Sequence, residues 1–152
     1  MSAALIKQSM TTAVLAITPL LNSDERFREF DASQDYLAWC EQNPAAALRR
    51  VLIRDTGTLE PPAITNTDVE WVATEFEVAV CYPRESGTSN ERDELIASDM
   101  RQIRATIGVA GYATHEDAAD ATVTELGVSR EETEACVFGV LRLRVEFFQA
   151  MA

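Results

Sequence analysis

Two stretches of this chain alternate between apolar and polar residues with a period of two, and they constrain the fold more than any other feature. In residues 69–82 (VEWVATEFEVAVCY), Val72, Phe76, Val78, Val80 and Tyr82 share one face, while Glu75 and Glu77 fall on the other. In residues 135–148 (ACVFGVLRLRVEFF), Leu141, Leu143, Val145 and Phe147 alternate with Arg142, Arg144 and Glu146. Successive side chains of a strand point to opposite faces, so each stretch reads as a strand with one apolar side. Two such strands need a layer of apolar side chains laid against them.

Residues 91–107 supply that layer. Ile96, Met100, Ile103 and Ile107 form one stripe at helical spacing, with Asn90 as N-cap, Asp93 three residues on, and Gly108 at the C-terminal cap. Arg101 and Arg104 near the end complement the helix dipole. Residues 3–21 read as another helix through Leu5, Met10, Val14, Ile17 and Leu21, ended or kinked by Pro19. A short third helix starts at Ser33 as N-cap, carries Tyr36, Leu37, Trp39 and Cys40, and stops at Asn43-Pro44. Residues 22–31 read as an exposed charged connection and 109–121 as a loop. Residues 49–54 (RRVLIR) and 123–128 read as shorter strands. Ser129-Arg130-Glu131-Glu132 fits a capping box, but the alternation after it favours a turn. The order predicts an α+β fold: a mainly antiparallel four-stranded sheet with helices packed on one face. A length of 152 residues suits one domain, with a helical part at 1–44 and a sheet-helix-sheet part at 45–152.

Charge and chemistry narrow the function. Thirteen basic residues face 25 acidic ones, a net charge of −12, which repels phosphate backbones and argues against sequence-specific nucleic-acid binding. No apolar run approaches the ~20 residues of a membrane-crossing helix, and the opening stretch lacks the basic leader of a signal peptide. Cys40, Cys81 and Cys136 are widely spaced in apolar segments, as core thiols of a reducing compartment would be. His115, the only histidine, sits beside Glu116 and Asp117 with no nucleophile elbow, zinc-ligand spacing or phosphate loop in the chain. The expectation is therefore no enzyme, no cofactor and no metal site. Residues 114–134 hold seven acids and one arginine, either a solvated face or a surface for a cation or partner.

What remains are surfaces. Arg142 and Arg144 project from one face of a strand whose other face is apolar, as on a solvated sheet or against a neighbouring subunit's acids. Trp71 points away from the Val72/Phe76/Val80 face and is the better interface tryptophan, Trp39 fitting a core edge. The connection 55–68 far exceeds a hairpin's needs. Pro61-Pro62 stiffens it, while Leu59, Glu60 and Ile64 offer contact to a partner.

The succession RRVLIRD, VEWVATEFEVAVCYPR, NERDELIASDMRQIRATIG and VFGVLRLRVEFF, over roughly residues 45–148, resembles the tail terminator proteins of long-tailed bacteriophages. The strand ending in Tyr-Pro, the Asp-containing helix ending in Ile-Gly and the last strand with alternating arginines carry the likeness. The resemblance implies a structural virion protein with a small helix-packed sheet, assembled as a homohexameric ring. Such a ring caps the tail tube, stops its polymerisation and meets the head–tail connector protein, with DNA passing through its opening. It implies a place in the neck of the virion's tail, reached from the host cytoplasm. The helix carrying Trp39 and the 55–68 loop match no family motif. The alternatives are another phage neck component, a head-completion or tail-tube subunit, and a small acidic ligand-binding domain or enzyme using carboxylates.

Overall fold

The computed structural model of the chain describes residues 3–31, 34–59, 69–109 and 122–150. Its spine is a pair of antiparallel strands, β3 (Val69–Pro83) and β5 (Cys136–Ala150), each of 15 residues and paired from Val69↔Ala150 to Pro83↔Cys136. At ~3.4 Å per residue the pair is about 50 Å long. β2 (Arg50–Leu59) flanks β3 and β4 (Thr122–Glu132) flanks β5, both antiparallel. These are the four strands that the sequence predicts, lengthened at their ends; β2 takes in residues 55–59, expected to open the 55–68 connection.

The sheet nevertheless has five strands and is mixed, not four-stranded and mainly antiparallel. β1 (Arg28–Glu29) pairs parallel with β2, giving the order β1-β2-β3-β5-β4. Two residues are too few to show a period, which is why 22–31 reads as a plain connection. Phe27 and Phe30 are buried there. Residues 129–132, expected to turn, continue β4, and the chain turns at 133–135 instead.

One sheet face carries α1 (Ala3–Leu15) and α4 (Ser89–Val109). Ile6, Met10 and Val14 of α1 join Ile96, Met100, Ile103 and Ile107 of α4 in a cluster with Phe76, Val78, Leu141, Leu143 and Phe147. The α4 stripe is as the spacing predicts, but the cap is Thr88, not Asn90. The Thr88 carbonyl accepts from the Arg92 amide at 3.0 Å, and its Oγ1 accepts from the Glu91 amide at 3.2 Å.

The second face is covered too, which corrects the expectation of helices on one side. α2 (Tyr36–Gln42) and α3 (Pro44–Ala47) pack there, in a cluster of Phe30, Tyr36, Cys40, Ala47, Ala79, Cys81, Cys136, Phe138 and Val140. The N-cap of α2 is Asp35, whose Oδ1 accepts from the Ala38 amide at 3.0 Å; Ser33 lies outside the described residues. The Phe30, Tyr36 and Phe138 rings meet edge to face with centroids 4.9 and 5.4 Å apart. The reason for this cover is in the strands. On that face β3 runs Glu75, Glu77, Ala79, Cys81 and β5 runs Cys136, Phe138, Val140, Arg142, Arg144, so one half is apolar and the other charged. α2 and α3 cover the apolar half.

Two outcomes follow. Ile103 is fully buried, so Ile103→Ala is expected to cost about 2–5 kcal/mol in urea denaturation, and a loss below ~0.5 kcal/mol would contradict this packing. Alkali should also unfold the protein. Burial, helped by neighbouring thiols, raises the Tyr36 phenol, and burial beside Asp99 raises Tyr82. Burial likewise raises the Cys136 thiol. A raised folded pKa means that the unfolded chain releases these protons first. The stability is then full below the unfolded values, about 8.5 for the thiol and about 10 for the phenols, and is lost as pH climbs past them. Urea midpoints should fall from about pH 8.5 and faster above about pH 10, with Tyr36 and Tyr82 ionising only as the chain unfolds.

Candidate functional site

Among the described residues, the charged half of the second face and the two lateral edges are the parts of the sheet that no helix or strand covers. On the charged half, Arg54 Nε and Nη2 donate to Glu77 Oε2 at 2.9 and 2.7 Å. Arg142 Nη2 donates to Glu75 Oε2 at 3.4 Å, and Arg144 Nε to Glu146 Oε1 at 2.9 Å. Both predicted arginines thus lie on this face, each already paired within the protomer. Arg142 and Arg144 remain 49% and 35% exposed, so their pairs add little stability and leave the guanidiniums within a partner's reach.

Of the other predicted contact residues, Leu59 and Trp71 have their backbone at the distal end of the same sheet. The backbone of Leu59 pairs with Ala73 and that of Trp71 with Phe148. Glu60, Pro61, Pro62 and Ile64 lie outside the described residues, as do His115, Glu116, Asp117 and Asp120. Residues 122–132 of the acidic stretch form β4, which is largely exposed and carries Leu126 and Val128 at 43% and 44% exposure.

Both edges are open among the described residues. β4 has β5 on one side and no strand on the other. At the opposite edge, β1 shields only Arg50 and Val51 of β2 and itself has no outer partner. A two-residue strand needs an anchor, and Arg49 supplies it. Its side chain is completely buried, and all five guanidinium N–H groups are bonded. Nε and Nη2 hold Asp99 Oδ2 and Oδ1 at 2.8 Å each; Nη1 donates to the Asn22 and Glu25 carbonyls at 2.7 and 2.6 Å; Nη2 also donates to Leu21 at 2.7 Å. The Arg49 carbonyl then accepts from the Arg28 amide, the first bond of β1. Tyr82 Oη donates to Asp99 Oδ2 at 2.7 Å, and the Phe27 ring lies 5.4 Å from the guanidinium. Burial pushes the Asp99 carboxyl up, against the hydrogen bonds of Arg49 and Tyr82 that hold it down.

Neither Arg49 nor Asp99 stands out in the sequence reading. The available signal was Asp99 itself, an acid on the buried stripe between Ile96 and Ile103. An ionisable group there requires a buried partner of opposite charge. The three cysteines are free and buried, and among the described residues no group of His, Cys, Asp and Glu is arranged to hold a metal ion. No described helix is long and apolar enough to cross a membrane. In comparisons with known proteins, the chain matches no protein family and no curated relative.

Removing the acid of this buried pair strands the arginine. Asp99→Asn is expected to cost about 3–5 kcal/mol in urea denaturation, and Tyr82→Phe about 1.5–3 kcal/mol. Hydrogen exchange in Asp99→Asn should accelerate selectively in residues 21–30, and unchanged protection there would refute the anchoring role.

Proposed function

We propose that this chain is a structural virion protein of the tail terminator kind. In this reading a homohexameric ring caps the tail tube of a long-tailed bacteriophage, stops its polymerisation and offers the head–tail connector its tail-side surface. The ring sits in the neck of the virion, is assembled in the host cytoplasm and lets DNA pass through its opening. The observation that carries the reading is the pair of unlike open edges on opposite sides of one sheet. A contact between two different patches is heterologous, and copies joined that way form a ring when the rotation closes. The succession of two strands, a long helix and two strands in a helix-packed sheet is also what the resemblance implies.

Six protomers of −12 carry six times that charge, −72, so long-range repulsion opposes assembly at low ionic strength. Contacts at hydrogen-bond range are screened less than this repulsion. Light scattering across a salt series should therefore show six-fold particles that grow more stable from low to moderate salt. The protein should also be found at the head-proximal end of purified tails. A monomer at every salt and protein concentration, absent from tails, would overturn the proposal.

A further inference from the structure

The register of the sheet places complementary charges at its two edges. One cross-strand row runs Glu29↔Val51, Val51↔Val80, Val80↔Gly139 and Gly139↔Arg130, with an acid at the β1 edge and an arginine at the β4 edge. The adjacent row has the opposite polarity. It starts with Arg28↔Arg50, reaches Cys81↔Phe138 and ends at Phe138↔Glu131.

We infer that copies of this chain join edge to edge, β4 of one pairing antiparallel with β1 of the next, in the register Arg28↔Glu131 and Glu29↔Arg130. The inference rests on the ring assembly proposed above and adds its surface and register. Strand direction fits. β1 is parallel to β2, and three antiparallel steps separate β2 from β4, so β1 and β4 run in opposite senses. A second copy set alongside in the same orientation thus brings β4 against β1 antiparallel. Placing Arg28 opposite Glu131 then puts Glu29 opposite Arg130. A slip of one residue either way opposes like charges, Arg28 with Arg130 or Glu29 with Glu131.

Both edges turn groups outward for this; the Glu29 carbonyl accepts a long bond from Arg50 Nη1, at 3.4 Å, which docking of a strand would replace. The Arg28 and Phe30 amides donate inward, to the Arg49 and Val51 carbonyls at 3.1 and 2.9 Å, which turns the intervening Glu29 amide outward. Arg28 and Arg50 stand side by side with no ion pair to a described carboxylate; Arg28 Nη2 and Arg50 Nε donate to the Ala46 carbonyl at 3.3 and 3.0 Å. Burial and the Arg28 charge lower the Arg50 pKa, as expected of a cation pair short of a counter-ion. Glu131 is exposed and makes no ion pair with a described residue, while Arg130 holds only the exposed Asp93, at 2.6 Å.

Two full-length variants test the register: R28E/E29R, reversed at the β1 edge, and R130E/E131R, reversed at the β4 edge. Each alone should need at least ten times the protein concentration to assemble, with its thermal unfolding midpoint preserved. Their equimolar mixture should assemble as readily as wild type, because each reversed edge then finds its complement. Native mass spectrometry should count the two chains in equal numbers. If a doubly reversed chain fails to fold, E131R alone carries the test, with weaker assembly expected. Wild-type rings together with unimpaired assembly of the folded variants, or with a mixture that stays apart, would overturn the register and leave the ring reading standing. A wild-type chain that is monomeric throughout would overturn both.

Discussion

The bond between Arg49 and Asp99 is the point on which four parts of this fold depend. Through it α4 is tied to the start of β2, through Tyr82 to β3, and through three backbone carbonyls to the segment that leads into β1. Arg49 pays for this with a backbone φ of 58°, a region that costs a non-glycine residue on the order of 1 kcal/mol. An ammonium could not replace it, since no three-donor point charge spans a carboxylate and three diverging carbonyls. A buried ion pair adds little net stability over a well-packed apolar one. Its contribution here is geometric: it fixes where the chain crosses from helix to sheet edge, and so where β1 lies.

The second sheet face follows the same logic of placement by side-chain chemistry. Its boundary falls between Ala79 and Glu77 on β3 and between Val140 and Arg142 on β5, and Glu77 and Arg142 are register partners. On one side of that line the strands need cover, and α2 and α3 provide it. Beyond the line, three arginines and three glutamates neutralise one another, which leaves the net negative charge of the protein to other surfaces.

Much of this was legible in the amino-acid order. The long strands, the α4 stripe and the outward arginines follow from periods of 2 and 3.6 sustained over many residues. The failures share a cause, which is that the deciding contacts are distant in sequence. β1 is two residues long and exists because the Arg49 carbonyl and Val51 stand beside it. Residues 129–132 carry a local helix signal, yet pairing with residues 137–140 of β5 overrides it. The Asp99 partner lies 50 residues away, beyond the reach of any periodicity. Of the surface residues, the pairing of Arg142 with Glu75 was equally hidden, since the two come together only when β3 and β5 meet, whereas Arg144 pairs with Glu146 two residues along its own strand.

The outer strands also share an irregularity. Each contains a bulge beside a glycine of positive φ, Gly57 at 141° in β2 and Gly127 at 153° in β4. Asp55 clamps the first by accepting from the Gly57 amide at 3.0 Å and from the Thr74 hydroxyl at 2.7 Å. A bulged strand bends and twists, and a twisted edge is a poor template for stacking further strands in register. The distal halves of both edges are therefore protected from open-ended cross-β growth, the route by which exposed strands become fibrils. The two sheet edges left open among the described residues thereby offer a shorter regular template than their length alone would give.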